Sequence, residues 1–240
     1  MEIQLFIPCF VDQLFPETGT YIVKILEYNN INIRYNPEQT CCGQIAFNSG
    51  QWKEAARLAK KFLRDFDPSI PIVTPSASCA AYLKNYFSTL FQPGSNEYST
   101  FDRLTVNLYE LSDFLANKTI NFRTKAIFEH TVTFHDSCSG LREYKLKSEA
   151  RDLLKKVSGI KLVEMDDTNE CCGFGGTFSI KHKYISQSMV QQKVESALKT
   201  GAEYITSTEV SCLMNIGSYI KKHQLPINVI HFSEILAQGV

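Results

Sequence analysis

Thr168-Asn169-Glu170-Cys171-Cys172-Gly173-Phe174-Gly175-Gly176 is the stretch on which the reading of this chain turns. Its Cys-Cys-Gly centre has an earlier copy in Gln39-Thr40-Cys41-Cys42-Gly43-Gln44. Each vicinal pair stands between two further cysteines, Cys9 and Cys79 in the first case, Cys138 and Cys212 in the second. The gaps repeat: 31 and 32 residues intervene before the pair, and the last cysteine follows 37 and 40 positions after the pair's second member. All 8 cysteines of the chain belong to this duplicated set.

The segments around the cysteines repeat as well. Ile3 to Pro8 reads as a strand, Thr18 to Tyr28 as a helix, and Ile31 to Tyr35 as a second strand. Trp52, Ala55, Ala59, Phe62 and Phe66 mark one face of a long helix, Pro71 to Thr74 a third strand, and a helix begins near Cys79. Pro93 to Thr100 is expected as a surface connection, Leu104 to Leu108 as a fourth strand, and Leu111 to Ala116 as a short helix. Asn117 to His130 reads as the link. The order then recurs: a strand at Val132 to Phe134, a helix at Ser148 to Val157, a strand at Lys161 to Met165, and a helix at Tyr184 to Lys199 with Val190, Val194, Ala197 and Leu198 on its face. A strand at Tyr204 to Thr206 and a helix opened by Cys212 follow. Asn228-Val229-Ile230-His231-Phe232-Ser233 near the end echoes Asn107-Leu108-Tyr109-Glu110-Leu111-Ser112. Strands alternating with helices imply α/β architecture: two pseudo-symmetric, Rossmann-like halves with parallel sheets, residues 1–120 and 121–240.

Length and composition agree. At 240 residues and 44% hydrophobic, the chain can bury a core without disulfide staples. Lys plus Arg (25) balances Asp plus Glu (25), which argues against a nucleic-acid or anionic-membrane surface. The start, MEIQLFIPCF, lacks a basic region, and no apolar run approaches the ~20 residues that span a bilayer. The expectation is a cytoplasmic protein, where clustered thiols mean metal or redox chemistry more often than structural bridges.

In a parallel sheet the loops leaving the carboxyl ends of the strands gather on one edge. Four thiols distant in sequence would therefore converge at one site per half: Cys9, Cys41, Cys42 and Cys79 in the first, Cys138, Cys171, Cys172 and Cys212 in the second. Adjacent side chains on an extended strand point to opposite faces, so each pair needs a sharp turn, and Gly43 and Gly173 supply the freedom for it. Ser78 and Ser211 are candidate helix caps beside Cys79 and Cys212. Four thiolates suit an iron–sulfur cluster or a structural zinc. Neither half has the paired C-x₂₋₄-C knuckles usual for zinc, although zinc in one half stays open. Unrelated buried thiols would not repeat the spacing, and a disulfide between neighbours is strained.

The duplicated pattern, with Gln39-Thr40-Cys41-Cys42-Gly43-Gln44, Asn169-Glu170-Cys171-Cys172-Gly173-Phe174-Gly175-Gly176 and Phe134-His135-Asp136-Ser137-Cys138-Ser139-Gly140, resembles the CCG cysteine-rich domain family. That family includes the cysteine-rich polypeptide of heterodisulfide reductase, the glycolate oxidase iron–sulfur subunit and the lactate utilisation A group, which this chain resembles most. The resemblance implies an iron–sulfur protein, with one or two clusters of the four-iron type, that passes electrons in a complex oxidising L-lactate or a related 2-hydroxy acid to pyruvate. It implies two partners, a ferredoxin-type iron–sulfur protein and a smaller third subunit, and no activity of the chain alone. The fullest family motif ends in Cys-x-x-Cys; here Tyr82 and Asn215 replace its last cysteine. That weakens the alternative reading as a heterodisulfide or thiol–disulfide reductase subunit. The other alternative is a zinc-stabilised scaffold.

No catalytic residue is assigned. His135 and Asp136 flank Cys138 where the first half has Ile7-Pro8, and His135 either tunes a cluster or bonds a backbone carbonyl. Arg142 either offsets cluster charge or is solvated. Gly173-Phe174-Gly175-Gly176 is a poor dinucleotide loop, because Phe178 stands where its third small residue belongs; it reads as room for backbone near a cluster. His130, His182, His223 and His231 have no ligand spacing. These features favour the second half as the redox-active one.

Overall fold

The computed structural model describes all 240 residues. The first half runs β1 (Glu2–Leu5), α1 (Cys9–Leu14), α2 (Pro16–Tyr28), β2 (Asn32–Tyr35), α3 (Gln44–Asn48), α4 (Trp52–Asp65), β3 (Ile72–Thr74), α5 (Ala77–Asn85), α6 (Asn96–Val106), β4 (Leu108–Glu110) and α7 (Leu111–Asn117). The second runs β5 (Thr131–Phe134), a π-helix at Ser139–Tyr144, α8 (Glu149–Leu154), β6 (Lys161–Val163), α9 (Phe178–Lys181), α10 (Lys183–Lys199), β7 (Tyr204–Ser207), α11 (Val210–His223), β8 (Asn228–His231) and α12 (Phe232–Leu236). Each half is a four-stranded sheet, ordered β2-β1-β3-β4 and β6-β5-β7-β8. Every pairing is parallel, as the alternation of strands and helices implies.

Two of the expected elements differ. The segment expected as a connection followed by a strand is α6, and β4 starts only at Leu108. The Ser95 hydroxyl accepts the Tyr98 N–H and caps the helix, and Phe101 and Leu104, three apart, bury one face of it. Trp52 lies at the first turn of α4 but is 65% exposed, so the buried face is Ala55, Ala59 and Phe62, continued by Phe66 just past the helix end.

Three apolar clusters hold the molecule, and the largest crosses between halves. It joins Ile22 and Ile25 of α2 to Ile235 and Leu236 of α12, and Phe114 and Leu115 of α7 to Leu153 and Leu154 of α8. Each such side chain contributes about 1.5–3 kcal/mol when taken from water. The outer helices have cores of their own, α4 and α5 around Phe62 and Phe87 in one half, α10 and α11 around Val194 and Ile216 in the other. The halves therefore meet through a layer of helices, with the strand ends that carry the cysteines turned toward a common seam. The seam is tight: a Cβ on Gly140 of the π-helix would lie 3.3 Å from that of Ala77 in α5.

Candidate metal centre

Every cysteine follows the carboxyl end of a strand, and because the strands are parallel all eight emerge on the same side of the sheets. Cys9 opens α1, Cys41 and Cys42 sit in the loop after β2, and Cys79 lies in the first turn of α5. Cross-links align the loops: the Ile7 N–H donates to the Gln39 carboxamide at 3.0 Å, and the Asp136 N–H to the Thr168 carbonyl at 3.3 Å. The vicinal pairs bend as required, with Gly43 at φ +93° and Gly173 at φ +82°. Positive φ strains a side chain at either position, and at Gly173 a Cβ would also fall 2.6 Å from the Ser186 carbonyl oxygen.

Within the first quartet Cys9 Sγ lies 3.6 Å from Cys41 Sγ, and Cys42 Sγ 3.3 Å from Cys79 Sγ. In the second, the Cys172 and Cys212 sulfurs lie within 4.8 Å of one another, and Cys171 interacts with both Cys138 and Cys172. All eight are free thiols. The Gly43 and Gly173 N–H groups point at the Cys41 and Cys171 sulfurs, at 3.4 and 3.3 Å. With bonds from Cys42 and Cys9, these hold Cys41 as a thiolate, its pKa lowered to about 3. Cys171 is lowered likewise to about 2 by Cys138, Cys172 and the Gly173 N–H. The neighbouring thiols are pushed the other way, Cys9 by its bond to Cys41 and Cys138 by its bond to Cys171. Cys42 and Cys172 are raised by bonds to the same thiolates and by burial. Each quartet thus holds one sulfur, Cys41 or Cys171, whose anionic form is favoured over that of its neighbours.

The two quartets open onto a common space. All eight cysteines line one cleft of about 240 Å³ between the halves. Phe10 and Phe174 meet edge to face across it, ring centroids 5.6 Å apart. Glu209 bridges the seam: it stands at the start of α11 yet accepts the Ser78 N–H at 2.9 Å and the Ser76 hydroxyl at 3.0 Å, both at the start of α5. The cap beside Cys79 is Ser76 rather than Ser78, its hydroxyl accepting the Cys79 N–H at 3.2 Å, and Ser211 serves instead to hold Glu209.

Strand register places His135 opposite Phe6, not Ile7, because their N–H groups donate to equivalent partners, Thr206 at 2.8 Å and Val73 at 2.9 Å. His135 is fully buried and neither ring nitrogen has a partner, so it does not bond a backbone carbonyl. One ring nitrogen and the sulfurs of Cys172 and Cys212 all lie within 4.8 Å of one another. Burial, then Lys193, pulls its pKa down to about 3, and the ring is neutral. Asp136 does not face it: Arg151 clamps that carboxylate at 2.8 Å through both terminal nitrogens. Arg142 donates to the Asn169 carbonyl at 3.1 Å from an exposed position. Gly175 and Gly176 line the cleft with positive φ. Asn215 turns from the sulfurs to donate to the Cys172 carbonyl at 2.8 Å, whereas the buried Tyr82 hydroxyl has no partner. Of the remaining histidines, His130 pairs with Glu203 at the surface and His231 is buried against Ser233.

The donor chemistry fits a thiophilic centre in each half. The 3.3 and 3.6 Å separations are thiol contacts, close to the ~3.8 Å edge of a zinc tetrahedron with Zn–S about 2.3 Å, and a cluster would seat by spreading them. No helix is long and apolar enough to cross a membrane.

The CCG cysteine-rich domain family matches twice, over residues 3–84 and 132–217. Curated relatives include Lactate utilization protein A 2 of Bacillus cereus (strain Q1), 37% identical over 100% of this chain and 99% of the relative. Lactate utilization protein A of Geobacillus sp. (strain WCH70) is 38% identical over 98% of this chain and 99% of the relative. Among solved structures, a putative Asp/Glu racemase from Yersinia pestis aligns over 99% of this chain and 96% of that one, at TM-score 0.35 and 13% identity. Glutamate racemase from Francisella tularensis aligns over 98% and 78%, at TM-score 0.38 and 14% identity. Likeness that low carries no argument. The duplicated match and the full-length relatives, on top of the paired thiol quartets, place the chain in the CCG cysteine-rich domain family, among the lactate utilization A proteins.

Proposed function

We propose that this protein is the iron–sulfur electron-transfer subunit of a cytoplasmic complex that oxidises L-lactate, or a related 2-hydroxy acid, to pyruvate. The observation that carries the reading is the pair of four-thiol sets opening onto one cleft, in a chain whose relatives are named for lactate utilization. Cys9, Cys41, Cys42 and Cys79 would hold a centre in repeat 1–120, and Cys138, Cys171, Cys172 and Cys212 one in repeat 121–240. A four-iron cluster held by four thiolates supplies one-electron chemistry. The protein's own part is to furnish the thiolates, to aim the Gly43 and Gly173 N–H groups at two of them, and to set the distance between sites through the shared core. Phe10 and Phe174 limit water at the cleft, while Glu209 locks the two walls together. The cleft lining includes no Lys or Arg to clamp a substrate carboxylate, and its own carboxylates, Glu143 and Glu209, would repel one, which supports assigning oxidation of the acid to a partner. Those partners are a ferredoxin-type iron–sulfur protein and a smaller third subunit.

The test is metal analysis of anaerobically purified protein. Iron with matching acid-labile sulfide supports the reading; zinc without sulfide in both halves replaces it with a structural scaffold. Lactate-dependent dye reduction by the complex recovered from native extract then tests the substrate, and loss of that activity on omitting this chain is the expected outcome.

A further inference from the structure

The two halves are built alike except directly behind the cysteines. In the first half Phe6 and Phe62 meet edge to face, ring centroids 5.1 Å apart, in the apolar cluster that contains Cys42 and Cys79. His135 replaces Phe6, by the strand register given above. The helix register is fixed by the glycines: Gly43 packs on Leu58 and the Ala55 carbonyl of α4, and Gly173 on Met189 and the Ser186 carbonyl of α10. Four residues beyond Leu58 stands Phe62, and four beyond Met189 stands Lys193. An aromatic pair in one half is therefore a histidine–lysine pair in the other.

Both replacements are buried, His135 fully and Lys193 to 1% exposure. The Lys193 ammonium donates to the Asp167 carbonyl in the loop ahead of Cys171. Desolvation pulls Lys193 below its ordinary pKa, and Asp167 and Glu170 work against that fall. Such a pair is expensive to keep in a core unless the field it makes is used. None of the first half's unpartnered buried polar atoms, on Gln39, Thr74, Tyr82 and Glu110, carries positive charge. Hydrogen bonds to cluster sulfurs and positive charge beside them favour the reduced, more negative state.

Resting on the iron–sulfur reading above, we propose that His135 and Lys193 make the second half's centre the more easily reduced of the two. The imidazole lies within 4.8 Å of the Cys172 and Cys212 sulfurs, and the ammonium, held on the Asp167 carbonyl, adds its charge through space. Asn215 takes no part, since its carboxamide is spent on the Cys172 carbonyl.

The experiment is a potentiometric titration of the whole protein between dithionite and ferricyanide, followed by visible and paramagnetic resonance spectra. H135F and K193F should each lower the midpoint of the higher-potential centre and leave the other in place. The expected change is at least tenfold in the oxidised-to-reduced ratio at fixed potential, about 59 mV for one electron. The double variant H135F/K193F rebuilds the pair that already packs in the first half, which guards against a folding failure. H135Q, which keeps an N–H donor, should recover part of the loss; a merely space-filling role would not give that recovery. Unchanged midpoints in variants that retain iron overturn this inference alone. Wild-type protein with no iron and no labile sulfide overturns the iron–sulfur reading, and this inference with it.

Discussion

The first and second halves share a sheet order, a thiol quartet and a bent vicinal pair, yet they solve one local problem in opposite ways. Behind Cys42 and Cys79 the chain places two phenylalanines; behind Cys172 and Cys212 it places a histidine and a lysine. A second contrast lies at the ends of β4 and β8, where Glu110 and His231 occupy equivalent positions. Each accepts backbone N–H groups from the helix that follows, Glu110 from Ser112 and Asp113, His231 from Ser233. Identical folds leave room for unequal chemistry, because the backbone geometry constrains a cap or a wall only by shape and by the need for an acceptor.

The sharpest way to break the comparison between quartets is to remove one of them. C171A and C172A should each strip the second centre while the first keeps its colour, so anaerobic iron content falls by roughly half relative to wild type. Equal loss from C41A and C42A would show that both halves are loaded. Full colour in both second-half variants would mean that half holds no cluster.

Next in size is the bridge between halves. Glu209 joins the start of α5 to that of α11, and E209A leaves the Ser78 N–H and Ser76 hydroxyl without their acceptor. Denaturant unfolding should show a loss of about 1–3 kcal/mol. A loss below ~0.5 kcal/mol would mean that water replaces the carboxylate.

The Glu110 and His231 pair separates by pH. Burial raises Glu110 from 4.5 to about 8, so between those values the folded protein keeps a proton that the unfolded chain releases. Its contribution therefore lowers stability as pH climbs through that window, by at most ~1.4 kcal/mol per unit. Burial lowers His231 from 6.5 to about 4, so below pH 6.5 the unfolded chain takes up a proton that the folded one refuses, and stability drops as pH falls toward 4. Melting curves of E110Q should lose the alkaline slope and keep the acid one. The smallest effect belongs to Trp52, whose exposure predicts a change within about ±0.5 kcal/mol for W52A in the same assay.

What could be read from the sequence follows from what repeats in it. The eight thiols, the parallel sheets and the turn at Gly43 and Gly173 were all legible, because spacing and alternation report them directly. Helix α6 was not, since Asn96, Glu97, Ser99, Asp102 and Arg103 mask its two buried residues. The merging of both quartets into one cleft depends on how α7 and α8 pack, which no local pattern encodes. Glu209 was missed because its partners, Ser76 and Ser78, lie 133 and 131 positions away. Lys193 could have been found: it falls three after Val190 and next to Val194, on the face that the apolar spacing assigns to the interior.

The greasy layer shared by α2, α7, α8 and α12 has one further implication. Neither repeat is a portable cassette: cut after residue 120, the piece would present Ile22, Ile25, Phe114 and Leu115 to solvent with no lid. A graft of one repeat into a foreign scaffold must therefore import the opposing helices too, or supply an oily surface of matching contour.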